Sequence, residues 1–71
     1  MIPTMQNEIL RKFASICELS PDLRVGQIMT HLGFLAEDMF DRSLADVDDD
    51  QLLRVLERHE NELSRRSSNV A

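Results

Sequence analysis

Apolar residues recur at intervals of three and four in three separate segments, and this spacing restricts the fold more than any other feature of the sequence. Because an α-helix turns once every 3.6 residues, this interval gives each segment a single apolar stripe. No segment shows the strict alternation of apolar and polar residues that is typical of a half-buried strand. The sequence therefore predicts an all-α fold, a small three-helix bundle.

The first and third segments carry the clearest stripes. The first lies between Pro3 and Leu19, with apolar residues at Met5, Ile9, Leu10, Phe13, Ile16 and Cys17. The third starts near Asp48, and its predicted inner face consists of Leu52, Leu53, Val55, Leu56 and Leu63. Asp48 and Gln51 have the spacing of a capping box, in which side chains accept hydrogen bonds from free backbone N–H groups at a helix start. We predict one helix in each of these segments.

The second segment has less certain ends. Ser20, Pro21 and Asp22 suit the start of a helix, because serine can cap it, proline needs no amide hydrogen there and aspartate faces the positive end of the helix dipole. Gly33 suits a helix end, since glycine adopts the left-handed conformation without strain. We predict a second helix between these points, with inner residues Leu23, Ile28, Met29 and Leu32. For residues 35–41 we predict a short extra helical turn between the second and third helices.

The size of the chain limits the stability that its core can provide. Its 71 residues suffice for one domain, which we place at residues 1–66, followed by a disordered tail at residues 67–71. A core of this size contributes only about 3–5 kcal/mol, so small proteins usually add disulfides, a metal or a partner subunit. Cys17 has no second cysteine with which to form a bridge. We therefore expect the chain to form a homodimer.

The charge pattern excludes several classes of partner. The net charge is −5, and residues 37–50 contain seven acidic residues and one arginine. Such a segment repels phosphate groups, so we expect no binding to nucleic acid or to anionic membranes. The sequence shows no secretion signal and no run of about 18 apolar residues. Together with an unpaired cysteine, this predicts a cytoplasmic protein.

The acidic segment contains one pattern with a chemical meaning. Asp46, Asp48, Asp50 and Glu57 have the spacing of the first, third, fifth and twelfth positions of an EF-hand calcium loop. Gln51 occupies the place where that loop needs glycine, and a helix that starts near Asp48 would carry Glu57 roughly 10 Å along its axis. We expect these aspartates to cap the third helix and expect no metal site. A calcium- or cation-responsive switch is the alternative.

Two histidines and the cysteine are the remaining candidates for chemistry. His31 and His59 belong to different predicted helices without a nearby thiolate, so we expect them at the surface or at helix ends. Cys17 lies on an apolar stripe, where a thiol is buried and unreactive. No phosphate loop or catalytic motif is recognisable. We expect no catalytic residue and no cofactor, and thus no enzyme; a small enzyme or ligand carrier that uses His31 or His59 is a second alternative.

Apolar residues occupy all three predicted helices and the connection before the third, which is more than one three-helix packing readily hides. The sequence therefore predicts a helical protein–protein interaction module that associates with itself or with another protein. Its expected interface consists of Phe34, Leu35, Met39, Phe40 and Leu44. The alternative is that Phe34 and Phe40 cap a monomeric core. Of the methionines, we expect Met5, Met29 and Met39 to fill the core rather than line a binding groove.

One pair of segments carries a resemblance. Residues 21–28 read Pro-Asp-Leu-Arg-Val-Gly-Gln-Ile, and residues 49–53 read Asp-Asp-Gln-Leu-Leu. This combination resembles a set of short bacterial hypothetical proteins of unknown function, which carry a Pro-Asp-Leu-Arg-x-Gly-Gln segment and a later helix that starts with acidic residues and leucine. The resemblance implies a bacterial helical protein and supplies no functional residues.

Overall fold

The computed structural model describes the backbone of residues 1–69 and the side chains of residues 1–66. Three helices account for most of this range: α1 (Thr4–Leu19), α2 (Val25–Phe40) and α3 (Asp49–Asn69). Residues 1–69 contain no strand. Both α1 and α2 pack against α3. The predicted all-α, three-helix fold is confirmed.

The connection between α1 and α2 is a turn, and not the start of the second helix. The backbone N–H of Leu23 donates to the carbonyl oxygen of Ser20 at 3.1 Å. Pro21 occupies the second position of this β-turn, which its fixed φ angle favours. The helix begins later, where the Gln27 side-chain oxygen accepts a hydrogen bond from the Arg24 N–H at 2.9 Å. The predicted start at Ser20 is therefore wrong.

The second helix also ends later than predicted. It continues through Gly33, whose φ is not positive, and ends at Phe40; the capping residue Asp41 has a left-handed conformation with φ 55°. The N–H of Asp41 donates to the carbonyl oxygen of Glu37 at 2.9 Å. The apolar stripe of α2 continues past Gly33, so packing against α3 outweighs the low helix propensity of glycine. Residues 35–40 thus belong to α2 and do not form a separate turn.

A single helix-like turn does occur between α2 and α3, but further along the chain. The N–H groups of Asp46 and Val47 both donate to the carbonyl oxygen of Ser43, at 3.0 and 3.2 Å. Helix α3 then begins as the capping pattern predicts, because the Gln51 side-chain oxygen accepts a hydrogen bond from the Asp48 N–H at 3.1 Å. At its other end α3 includes residues 67–69 of the predicted tail, and residues 70–71 lie outside the described residues.

The core lies between α3 and the other two helices. Its fully buried members are Ile16 of α1, Ile28, Leu32 and Ala36 of α2, and Val55 and Leu56 of α3. The predicted inner face of α3 is confirmed, since Leu52, Leu53 and Leu63 are half-buried beside these residues. Four side chains that were expected inside are exposed: Met5, Leu10, Leu23 and Met29. Met5, Leu10 and Met29 lie on parts of α1 and α2 that the rest of the described chain leaves exposed, and Leu23 lies in the turn before α2.

Candidate functional site

An apolar groove lies between α1 and α2, with α3 as its floor. It exists because α1 and α2 both pack on α3 and contact each other little. Its volume is about 280 Å³. All nine lining residues are apolar: Ile9, Leu10, Phe13, Val25, Met29, Leu32, Leu44, Leu52 and Leu56. An uncovered recess of this composition is suited to receive apolar side chains from a partner.

The rim of the groove is the most exposed part of this surface. Leu10 of α1 is 54% exposed, while Val25 and Met29 of α2 are 53% and 48% exposed. Covering one such side chain completely contributes about 1.5–3 kcal/mol, so these three residues offer a substantial gain on association. The expectation that Met29 fills the core is wrong. It lines the groove, which was the alternative considered for the methionines.

The predicted interface residues lie in two different environments. Phe34 is 63% exposed and lines a second, smaller cavity together with Leu35. Met39 and Phe40 are half-buried against the core, as are Leu35 and Leu44. Leu44 lines the groove. That these five residues meet a second copy of the chain stays a prediction.

The two histidines stack on one another across the contact between α2 and α3. Their ring centroids are 6.0 Å apart, and the ring planes differ by 21°. His59 is only 8% exposed, whereas His31 is exposed. Within the described part of the chain, neither ring nitrogen of His59 has a hydrogen-bond partner. The expected surface position of His59 is therefore wrong, because α2 covers that side of α3.

The histidine pair lines a cavity of about 160 Å³ between α2 and α3. Its other lining residues are Leu23, Phe34, Leu35, Glu62, Leu63 and Arg66. Burial lowers the pKa of His59 below its usual value of 6.5, and the positive charge that His31 can carry lowers it further. The Glu62 carboxylate opposes this shift. The buried imidazole is thus held in its neutral form.

The EF-hand-like residues do not converge in the structure. The Asp46 carboxylate accepts a hydrogen bond from the Ser43 hydroxyl at 2.9 Å. Glu57 lines a separate cleft between α1 and α3, because it lies two turns beyond Asp50 on the continuous helix α3. Within the described residues, no group of three or more His, Cys, Asp and Glu side chains could hold a metal ion. The geometry does not support the calcium alternative.

An ion pair between α1 and α3 was missed by the sequence analysis. Lys12 Nζ lies 3.0 Å from Glu60 Oε1. A hydrogen bond from Ser15 lowers the pKa of Glu60 below 4.5, and the bond from Lys12 lowers it further. Reciprocally, the bond to Glu60 raises the pKa of Lys12 above 10.5. No sequence signal identifies such a pair, because its members are 48 positions apart.

Comparison with known proteins adds no assignment to these sites. No protein-family model matches the chain, and no curated protein or solved structure is significantly similar to it. The resemblance to short bacterial proteins stays a prediction. Cys17 carries a free thiol that packs, half-buried, against the core. None of the helices found in residues 1–69 is long and apolar enough to cross a membrane.

Proposed function

We propose that this protein is a helical protein–protein interaction module that self-associates through the groove between α1 and α2. The observation that carries the proposal is the wholly apolar lining of the groove, with exposed rim residues on both sides. Apolar side chains gain most from being removed from water. The rim residues are not covered by any other part of the described chain. Association would complete the packing that three helices alone leave open.

The exposed area of the chain is consistent with an uncovered interface. The structure exposes 5191 Å² for a mass of 8.2 kDa. Folded monomers of this mass expose about 4,500 Å². The difference is similar in size to the area of about 800 Å² that each partner contributes to a stable interface. A second copy of the chain can cover an area of that size.

A second copy of the chain suits the groove because the rim residues are themselves apolar knobs. In a two-fold dimer the same surface patch serves both subunits, so a rim residue such as Leu10 of one copy can enter the groove of the other. A small core gains the stability that it lacks from such a contact. The groove replaces the surface around Phe34 as the centre of the proposed interface.

Sedimentation equilibrium from about 5 to 500 μM tests the proposal, because a dimer linked to folding must depend on protein concentration. We expect a dimer mass at the upper limit, and we expect Leu10→Glu to shift the chain to a monomer. Glutamate has good helix propensity, so this change leaves α1 intact. The matched control is Phe34→Glu, which places the same charge on an exposed residue outside the groove and should leave the dimer unchanged.

The two variants also separate the competing interfaces. Dissociation by Phe34→Glu and not by Leu10→Glu would place the interface where the sequence predicts it and would contradict the groove. A monomer mass of the parent chain over the whole concentration range would refute self-association itself.

A further inference from the structure

We infer that the stacked pair His31 and His59 makes the packing of α2 on α3 sensitive to acid, and that mild acid thereby opens the groove and dissociates the dimer. This inference rests on the proposed function, because α2 forms one wall of the groove. The histidine pair lies outside the groove, on the other side of α2, so it would act on the groove through the position of that helix.

The packed structure accommodates His59 only in its neutral form. Its side chain is 8% exposed, and both ring nitrogens are buried without a hydrogen-bond partner among the described residues. A protonated imidazole carries two N–H donors and a full charge, and such a group is strongly destabilised where no acceptor or water meets it. Protonation therefore favours any conformation in which His59 reaches water.

Charged groups on α2 and α3 surround this imidazole. His31 faces it from α2, and Glu62 and Arg66 act on it from its own helix. His31 and Arg66 both disfavour a positive charge on His59, and Glu62 favours it. When both rings are protonated, two positive charges face each other across the contact between α2 and α3 at a centroid distance of 6.0 Å. Acid thus produces repulsion at the surface where these helices meet.

The direction of the pH effect follows from the lowered pKa of His59. In the unfolded or opened chain the imidazole titrates near 6.5, and in the packed structure it titrates below that value. The open form therefore binds more protons in mild acid. The neutral imidazole stabilises the packed form above about pH 6.5. This contribution is lost as the pH falls from there through the lower pKa that His59 has in the packed form.

Release of α2 would remove the groove. Val25, Met29 and Leu32 form its α2 wall. The ion pair between Asp38 and Arg58 also joins α2 to α3, with a 3.5 Å separation of Oδ2 and Nη1, but both side chains are largely exposed. Exposed pairs of this kind contribute little to stability. The buried side chains Ile28, Leu32 and Ala36 therefore provide most of the attachment of α2, and the histidine pair lies at the same contact between α2 and α3.

The test compares the parent chain with His59→Phe, which keeps a planar ring in the core and cannot be protonated. Urea denaturation and sedimentation equilibrium are measured at about pH 7.5 and about pH 5.5, a range that spans the titration of histidine and lies above that of most carboxylates. In the parent we expect the urea midpoint and the dimer fraction to fall in acid. In His59→Phe both should stay constant over the same range.

His31→Asn serves as the second variant. It removes the facing charge and leaves His59 buried, so the fall of the urea midpoint in acid should persist but be smaller, because burial is the largest cause of the lowered pKa. An NMR titration of the parent follows the two imidazoles directly and does not depend on whether His59→Phe folds. We expect His59 to titrate below 6.5.

Three results would overturn the inference: an equal acid-induced fall in His59→Phe, no fall in the parent, or a His59 titration at or above 6.5. Failure of the proposed function has a different signature. A parent chain that is monomeric at both pH values but still loses urea stability in acid through His59 would contradict self-association alone. The acid sensitivity of the contact between α2 and α3 would then remain supported.

Discussion

The two helix contacts that hold this fold together differ in how they accommodate polar groups. Where α1 meets α3, Lys12 and Glu60 pair at 3.0 Å, and Ser15 donates a further hydrogen bond to Glu60. Where α2 meets α3, the His59 ring is enclosed, and neither of its nitrogens has a hydrogen-bond partner in the described part of the chain. A buried polar group without a partner costs about 1–3 kcal/mol. Because one contact encloses an unpaired polar ring and the other does not, we expect α2 to open from α3 more readily than α1 does, above all in acid.

The largest expected effect comes from a residue that serves both contacts. Leu56 is 1% exposed on α3 and lines the groove together with residues of α1 and α2, among them Phe13 and Leu32. Leu56→Ala should lower the free energy of unfolding by about 2–5 kcal/mol, because it leaves a cavity in the core. Urea denaturation measures this loss. The exposed Leu10→Ala is the control and should change the dilute chain by less than about 0.5 kcal/mol. A loss below about 1 kcal/mol for Leu56→Ala would contradict the packing described for α3.

The next largest effect is expected from a substitution that stabilises α2, the helix expected to open more readily. Gly33 lies inside α2 with a φ that is not positive, and a Cβ added there meets no atom within 4 Å. Gly33→Ala should therefore stabilise the chain by about 0.5–1 kcal/mol through its higher helix propensity. Urea denaturation and amide exchange of α2 both report this gain. If Gly33 ended the helix in a left-handed conformation, as the sequence predicts, the same change would destabilise the chain.

A smaller effect is expected at the two helix starts, which use the same device. Gln51 accepts a hydrogen bond from the Asp48 N–H, and Gln27 accepts one from the Arg24 N–H. Replacing either glutamine by alanine should cost about 0.5 kcal/mol, at the low end of the range for lost helix caps. Amide exchange should show that Gln27→Ala loosens α2 alone, whereas Gln51→Ala affects α3 and both helices packed on it. Equal protection of all helices in the two variants would show that α2 does not open independently.

The smallest effect concerns the contact between α1 and α3. Ser15→Ala removes the hydrogen bond that contributes most to the low pKa of Glu60, so this pKa should rise towards 4.5. Lys12→Met should raise it as well, because it removes both a hydrogen bond and a nearby positive charge. The lowered pKa stabilises the fold above about 4.5, and this contribution is lost as the pH falls through the folded value. A ¹³C NMR titration of the Glu60 carboxyl group measures this pKa in both variants. An unchanged pKa in Ser15→Ala would contradict the hydrogen bond between Ser15 and Glu60.

Local signals in the sequence predicted the parts of the fold that depend on neighbouring residues. The pair Asp48 and Gln51 identifies the start of α3, because a helix cap involves residues three positions apart. The same reasoning fails at Ser20 and Gly33, since serine, proline and glycine suit turns as well as helix ends. At these two positions, the packing of α2 against α3 decides whether the residue belongs to a turn or to the helix.

The candidate sites depended on tertiary structure to a greater degree. The apolar stripes include every residue that lines the groove within a helix except Val25, but they do not show that Met29 and Leu10 remain uncovered. Nor does the pattern around His59 show that α2 covers it. The apolar stripe of a sequence indicates which face of a helix is apolar. The neighbouring helices determine how much of that face is buried.

The sequence by itself determined the all-α class, the three helices and the inner face of α3, because helical periodicity and capping act within a few residues of the chain. Only the tertiary structure decided the groove, the stacked histidines and the pair of Lys12 and Glu60. The physical reason is that α1 and α2 both pack on α3 and little on each other. That arrangement leaves one apolar recess open and encloses one imidazole, and it depends on contacts between residues far apart in the chain.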